Sequence, residues 1–311
     1  MGESTLDDRP MPNRSTAPIW RRALPVLALP VVAAILVLPV IADDAPLERI
    51  RSCEGCFLVS AHRGDTGSVD SYPENTVEAV VQAAEKGADI VEVDVWLSAD
   101  GTWWVMHDQA VDRTTTGHGD IQQMTDAELA ALRINGGLGY DRERHRTELR
   151  VPRLAELLEA ARSQGAVVQV SIKHHGAAAA GRLARFVVDH DAVGFAAIRT
   201  YTLDAASVVE AVEPEIFLVV RTESDPAAFA PPPSIDLWAA HRMQYRSRRS
   251  IEARAPVPVQ LRPHAEEVGG DETAWIERAY EIGARIWMTD DLEAAMAVRD
   301  AWADEHQRGP G

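Results

Sequence analysis

Two histidines and two carboxylates lie within fewer than fifty residues of this chain, and these are side-chain types that do acid–base and metal chemistry. His62 follows the apolar run 57–61, so we expect it at the carboxyl end of a buried strand. Glu92 and Asp94 lie in the apolar stretch 89–97 and share one face of a strand, because side chains alternate with period two. Two carboxylates on one face of an apolar strand repel each other unless a cation or a base lies between them.

A predicted β-hairpin brings the second histidine, His107, to the same place. The stretch 98–101 is a turn signal, and 102–106 has the composition of a strand. Folding the hairpin about this turn lays residues 106–107 opposite 93–94, so His107 comes close to the two carboxylates. Oxygen-only ligation by two carboxylates suits Ca²⁺ or Mg²⁺. Two histidines that flank such a cation have the chemistry of a general base and a general acid.

The elements that must position these residues alternate along the chain. Strands are predicted at 57–61, 89–97, 167–172, 195–200, 216–220, 235–239, 257–261 and 284–288. Helical patterns lie between most of them, and this alternation implies a parallel sheet. Eight such strands in about 240 residues favour an α/β fold of the closed (β/α)8 TIM-barrel type over a doubly wound sheet. The polar, glycine-rich stretch 112–150 is expected to be an insertion over the site.

An apolar segment precedes the barrel. The twenty residues 23–42 carry no charge and, as a helix, would span roughly 30 Å, the thickness of the hydrocarbon core. Arginines just before the segment and aspartates just after it place the N-terminus in the cytoplasm and the rest of the chain outside. The predicted organisation is a disordered tail at 1–22, a transmembrane anchor or cleaved signal sequence at 23–42, a linker at 43–56, a barrel at 57–304 and a tail at 305–311.

The overall charge and the cysteines restrict the partners and the compartment. The net charge of −17 argues against nucleic acid or an anionic membrane surface as the main partner. Cys53 and Cys56 are the only cysteines, in C-x-x-C spacing. In an exported protein this spacing predicts a small structural disulfide, since a redox motif would need a thioredoxin-like context.

Short motifs follow one another in order over residues 57–160. They are HRG at 62–64, PENT at 73–76, GAD at 87–89, VEVDV at 91–95, DG at 100–101, HD at 107–108, DRTT at 112–115, GHG at 117–119 and VPRL at 151–154. Together they closely resemble the signature of the glycerophosphodiester phosphodiesterases. The resemblance implies a TIM barrel with an insertion after the second strand, where 112–150 falls.

The resemblance also implies a role for each candidate residue. The implied roles are acid–base catalysis by His62 and His107, binding of a divalent cation by Glu92 and Asp94, phosphate contact by Arg63 and Lys173, and a border position for Glu74 and Asn75. The implied reaction is hydrolysis of a glycerophosphodiester to an alcohol and sn-glycerol 3-phosphate. His62 is expected to be the base and His107 the acid.

One position departs from the family pattern. The family usually has an acidic residue two positions before the strand lysine, as a third metal ligand, and Ser171 stands there in this chain. A neutral hydroxyl is a far weaker ligand for a hard cation. The cation is therefore expected to be held weakly, with help from Gln169, or the chain is a degenerate barrel that binds a phosphodiester or a partner. A phospholipase-D-like activity on lipid is a further alternative, because the membrane segment would tether the barrel.

Two further sets of residues have simpler interpretations. Asp290 and Asp291 follow the last predicted strand and are interpreted first as a helix cap. Helix capping is also an open alternative for Glu74 and Asn75. His118, in the insertion, is a candidate to reach over the site.

Overall fold

The fold is seen in a computed structural model, which describes residues 45–53, 55–142, 144, 149–174, 176–221, 235–241, 257–262 and 272–307. The predicted tail 1–22 and the apolar segment 23–42 lie outside these residues. None of the helices within the described residues has the length and apolar character needed to cross a membrane.

Eight parallel strands close into a barrel, as the alternation of strands and helices predicts. They are β1 (Leu58–His62), β2 (Ile90–Leu97), β4 (Val168–Ile172), β5 (Ala196–Thr200), β6 (Leu218–Arg221), β7 (Ile235–His241), β8 (Val259–Arg262) and β9 (Ile286–Thr289). A ninth strand, β3 (Trp103–Val105), pairs antiparallel with β2 to form the predicted hairpin. β1 pairs with both β9 and β2, and this pairing closes the sheet and excludes the doubly wound alternative.

Helices surround the barrel between successive strands. They are α1 (Pro46–Ser52), α2 (Val77–Glu85), α3 (Asp126–Ala131), α4 (Leu154–Ser163), α5 (Ala177–Asp189), α6 (Leu203–Val212), α7 (Thr273–Glu281) and α8 (Leu292–Gln307). Their apolar residues recur at helical spacing. In α5, Ala180, Leu183, Ala184 and Val187 are buried, which is one face of the helix against the sheet.

The amino-terminal end of the barrel is apolar, and α1 closes it. Leu47 and Ile50 of α1 are buried in one cluster with residues at the starts of the strands, among them Leu58 and Phe217. The structure contains the predicted disulfide between Cys53 and Cys56, directly after α1. Polar side chains lie at the carboxyl-terminal end of the barrel.

The segment between β3 and α4 contains more apolar packing than its composition predicts. Its buried residues form a second hydrophobic cluster with two residues of the hairpin region, and its members are Trp104, Met106, Val111, Ile121, Leu129, Leu132, Ile134 and Val151. The apolar residues stand singly between polar ones, so no periodic pattern in the sequence predicts that they are buried. A capping box, in which Thr125 and Glu128 bond each other's backbone, begins α3.

Candidate active site

The carboxyl ends of β1 and β2 bring the first candidate residues together. His62 ends β1 and lies in register with Glu92 of β2. The chain then turns sharply, with Arg63 at φ +61° and Gly64 at φ +94°. A Cβ atom at Gly64 would lie 2.6 Å from the Cβ of Ala79 on α2, so glycine is required for this close approach.

His62 is held by a carboxylate from the far end of the chain. Its Nδ1 lies 2.6 Å from Oδ1 of Asp290, which means that Nδ1 carries the proton and that Nε2 has the lone pair. Nε2 faces Nε of Arg63 at 3.1 Å. Burial, together with the positive charge of Arg262, lowers the pKa of His62 to about 3, so its imidazole is neutral near pH 7.

The interpretation of Asp290 as a helix cap is wrong. Asp291 alone has that role, because its Oδ1 accepts a hydrogen bond from the backbone N–H of Ala294 at 3.1 Å. Asp290 instead points to His62. Asp290 lies at the carboxyl end of the last barrel strand, where functional residues of barrels gather, and this position is the sequence feature that indicates a role in the site.

His107 has a carboxylate partner next to it in sequence. Its Nδ1 lies 2.5 Å from Oδ1 of Asp108, and Oδ2 of Asp108 lies 2.5 Å from Nε of Arg113. The hairpin places His107 as predicted, since the N–H of Met106 donates to the carbonyl of Asp94 at 2.9 Å. Burial lowers the pKa of His107 below its ordinary value.

Asp94 is surrounded by donors and cations. Its Oδ1 lies 2.9 Å from Nζ of Lys173, and its Oδ2 lies 3.2 Å from both Nε of Arg63 and Nδ2 of Asn75. The amide of Asn75 also accepts a hydrogen bond from the N–H of Asp94 at 3.0 Å. Although burial opposes ionisation, Lys173 and Arg63 hold the pKa of Asp94 well below its usual range.

Glu74 joins the loop after β1 to the insertion. Both of its carboxylate oxygens lie 3.2 Å from Nη1 of Arg63, and Oε1 also pairs with Nη2 of Arg113. The cap of α2 is Thr76, whose hydroxyl accepts from Ala79 N–H. Glu74 therefore has no capping role, and the alternative of a helix cap is excluded for it and for Asn75. Glu74 contacts Arg63 and Asn75 contacts Asp94, at the edge of the site.

Glu92 contacts a hydroxyl and a guanidinium. Its Oε1 accepts a hydrogen bond from Oγ of Ser171 at 2.5 Å and lies 3.6 Å from Nη1 of Arg199. Its Oε2 is buried, has no hydrogen-bond partner among the described residues, and lies 4.0 Å from Nε2 of His62. Burial and the neighbouring Asp94 raise the pKa of Glu92.

The predicted residues thus converge, and several unpredicted ones join them. The additional residues are Asp108, Arg113, Arg199, Arg262 and Asp290. His118 does not reach the site, because its side chain is 86% exposed and bonds Asp112.

Similarity to known proteins agrees with this arrangement. The profile of the Glycerophosphoryl diester phosphodiesterase family matches residues 62–269. The chain belongs to this family. It is 41% identical over 116 residues to the glycerophosphodiester phosphodiesterase of Caldanaerobacter subterraneus, a match that covers 37% of this chain and 45% of the relative. It is 35% identical over 123 residues to glycerophosphodiester phosphodiesterase 1 of Rattus norvegicus, covering 40% of this chain and 36% of the relative. The matched segment spans less than half the length of these curated relatives.

Solved structures of family members share the fold. A glycerophosphodiester phosphodiesterase from Agrobacterium tumefaciens superposes with a TM-score of 0.63 at 26% identity, covering 77% of this chain and 99% of that one. An Oleispira antarctica phosphodiesterase, solved in complex with the product sn-glycerol-3-phosphate, superposes with a TM-score of 0.64 at 21% identity, covering 78% and 96%. At that lower identity the likeness shows the barrel fold alone.

Members of the family typically use divalent cations, and the donor set of this chain does not fit one well. Among the described residues, no group of three or more Asp, Glu, His or Cys side chains is arranged to hold a metal ion. Glu92 and Asp94 supply two carboxylates, and Ser171 supplies only a hydroxyl. Asp94 already contacts two side-chain cations and Glu92 a third, so an added ion would meet positive charge nearby.

Proposed function

We propose that this barrel hydrolyses glycerophosphodiesters to an alcohol and sn-glycerol 3-phosphate. The observation that carries the proposal is the presence of two independent imidazole–carboxylate pairs, His62–Asp290 and His107–Asp108, at one end of the barrel. Both imidazoles adjoin the cationic cluster around Asp94. An acid, a base and an anion-binding group in one site are the requirements for cleaving a phosphodiester.

Side-chain cations provide the phosphate-binding part of the proposal. Arg63 contacts Oδ2 of Asp94 and Lys173 contacts Oδ1. Arg262 lies 3.1 Å from the imidazole of His62. Guanidinium groups match the geometry of phosphate oxygens, and a lysine ammonium adds a point charge. These groups would bind the non-bridging oxygens and stabilise the negative charge that grows on them during the reaction.

Each imidazole carries out one of the two proton transfers. Nε2 of His62 takes the proton from the attacking oxygen, which belongs either to water or to the 2-hydroxyl of the substrate. His107, in its protonated form, gives a proton to the oxygen of the leaving alcohol as the P–O bond breaks. Asp290 and Asp108 accept from the Nδ1–H groups of the two rings, so Nε2 takes up the proton on His62 and releases it on His107. Nε of Arg63 must leave Nε2 of His62 for this transfer.

Release of sn-glycerol 3-phosphate from glycerophosphocholine tests this proposal, measured with chelator present and with Ca²⁺ or Mg²⁺ added. We expect turnover by the native protein and a loss of ~10²–10⁴-fold in His62→Ala and in His107→Ala, because each removes one proton transfer. His118→Ala, on an exposed histidine outside the site, is the matched control and should match the native rate.

Other outcomes would favour the alternatives. Binding of glycerophosphocholine without product release in any condition would favour a degenerate binding module. Release of choline from phosphatidylcholine vesicles, with no action on glycerophosphocholine, would favour the phospholipase-D-like alternative.

We also propose that residues 23–42 hold the barrel on the outer side of the cell membrane, with 1–22 in the cytoplasm. The uncharged segment, the arginines before it and the disulfide between Cys53 and Cys56 support this location, since disulfides persist in oxidising compartments. Protease treatment of intact cells tests it. Loss of the barrel, with retention of the N-terminal tail, is the expected result, and full protection of the barrel would contradict it.

A further inference from the structure

Three neighbouring strands carry the positions that decide how the site is charged. Asp94 on β2 is in register with Ser171 on β4, and Ser171 is in register with Arg199 on β5. The position where the family pattern has a third carboxylate is therefore neutral, and a cation stands on the next strand. Ser171 and Arg199 are adjacent in space although they lie 28 residues apart in sequence.

The guanidinium of Arg199 is built into the barrel beside Glu92. The residue is 3% exposed, and its Nη1 lies 3.6 Å from Oε1 of Glu92. Its Nη1 also lies 4.0 Å from Sδ of Met288, and its guanidinium stands 5.8 Å from the ring centroid of Tyr201. These contacts hold the positive charge of the guanidinium beside Glu92.

The charges of this cluster leave no deficit for a divalent ion to fill. Five carboxylates, those of Glu74, Glu92, Asp94, Asp108 and Asp290, pair with five side-chain cations, which are Arg63, Arg113, Lys173, Arg199 and Arg262. These charges balance before any ligand binds. Ca²⁺ or Mg²⁺ would add two positive charges beside Arg199, whereas a phosphodiester would bring one negative charge.

We propose that the guanidinium of Arg199 takes the place of the family's divalent cation beside Glu92, so that this barrel acts on its phosphodiester without bound Ca²⁺ or Mg²⁺. Ser171 completes the exchange, because its hydroxyl donates to the same Oε1 atom instead of contributing a carboxylate. The activity readout of this inference rests on the proposed function, but its binding readout does not.

Calorimetric titration of the chelator-treated full chain with Ca²⁺ alone and with Mg²⁺ alone tests the inference directly, alongside product release from glycerophosphocholine in EDTA. We expect no saturable metal site in the native protein and a rate that EDTA does not change. Arg199→Met should lower kcat/KM by ~10²–10³-fold, because a fixed charge is lost from a water-poor site, and metal should not restore it.

Two further variants test whether the site can be converted from one with a guanidinium to one that binds a metal ion. Arg199→Met combined with Ser171→Glu removes the guanidinium and restores the third carboxylate, so we expect one saturable site for Ca²⁺ or Mg²⁺ and turnover that requires the ion. Ser171→Glu alone should gain no site, because the new carboxylate would meet Arg199 on the adjacent strand. Arg185→Met, on the exposed face of α5, is the matched control and should behave as the native chain.

Thermal unfolding of each variant separates a lost charge from a lost fold, and Arg199→Lys, which keeps the charge, should retain part of the rate. A saturable metal site in the native protein, or native turnover that stops in EDTA and returns with the ion, overturns the inference. So does full activity of Arg199→Met in EDTA. If no form releases product, the proposed function fails, and the titrations of the native chain and the double variant still decide the role of Arg199.

Discussion

The two imidazoles of the site obtain their carboxylate partners from very different distances along the chain. Asp108 is the next residue after His107, whereas Asp290 is 228 residues away from His62. The first pair exists as soon as the hairpin forms. The second pair exists only when β9 lies beside β1 and the barrel is closed.

At the residue scale we predict that Asp290→Asn lowers kcat by ~10²–10⁴-fold with little change in KM, because an amide no longer fixes the Nδ1–H form of His62. Steady-state kinetics with glycerophosphocholine, with thermal unfolding of the same samples, measures the effect. The pH profile of kcat should also change, because the ring that Asp290 orients takes up the proton.

Asp291→Asn is the matched control for this variant. It makes the same chemical change one residue later, at the cap of α8, where asparagine also caps, so we expect a native kcat and only the small loss of stability that comes from removing a charge near the helix N-terminus. Equal kinetic effects of the two substitutions would show that Asp290 has only a structural role.

Among the secondary-structure elements, one aspartate joins the insertion to the hairpin by hydrogen bonds. Asp126, the first residue of α3, accepts hydrogen bonds from Ser98 Oγ at 2.7 Å, Thr102 Oγ1 at 2.5 Å and Trp104 Nε1 at 2.9 Å. All three donors belong to β3 or to the turn before it. The hairpin that carries His107 is thereby braced against the insertion.

We predict that Asp126→Asn lowers the free energy of unfolding at pH 7 by about 1.5–3 kcal/mol, the range for hydrogen bonds to a charged group. Burial alone would raise the pKa of Asp126, but these hydrogen bonds lower it below its ordinary value. The native carboxylate therefore stabilises the fold above the unfolded-state pKa of about 4, and this stability is lost as the pH falls through the lower folded pKa. Chemical denaturation at pH values from neutral down to the acid limit should show a shallower decline in Asp126→Asn than in the native chain.

Asp204→Asn provides the comparison, since Asp204 is an exposed aspartate in the first turn of α6. It should change stability by a few tenths of a kcal/mol, the value of a surface charge near a helix N-terminus. If both variants lost the same small amount, the three side-chain hydrogen bonds to Asp126 would not brace the insertion.

At the scale of the whole molecule, the two ends of the barrel have separate tasks. The amino-terminal end is filled by apolar side chains and covered by α1, whereas the carboxyl-terminal end holds the buried charges. Barrels of this class place stability at the first end and chemistry at the second. A change at the covered end should therefore affect folding and leave the chemistry alone.

We predict that Leu47→Ala lowers the free energy of unfolding by about 2–5 kcal/mol, because it leaves a cavity under α1 in a well-packed cluster. The kcat of the folded fraction should equal that of the native chain. Denaturant unfolding and kinetics below the unfolding temperature measure the two quantities.

Val188→Ala, on a valine that is 39% exposed, is the control and should change neither stability nor rate appreciably. A fall in kcat of Leu47→Ala, at a temperature where the protein is fully folded, would contradict the separation of the two ends.

Local patterns along the chain predict the strands, several helices and the hairpin, because periodicity and turn residues act over a few positions. That was sufficient to bring His62, Glu92, Asp94 and His107 into one site, since they lie in a single β–α–β–β segment. The resemblance also identified Ser171 as a neutral residue where the family has a third acidic one. The capping box at Thr125 is local in the same way, since its partner is three residues away.

The choice of distant polar residues that enter the site depends on closure of the barrel. Asp290 and Asp291 look alike in sequence, and closure of β9 on β1 selects the first for His62 and leaves the second to cap a helix. Arg199 had no local signal, because a single arginine in an apolar strand does not show which carboxylate it will face. Its meaning came from register across three strands, and register is set by packing of the whole barrel rather than by any one strand.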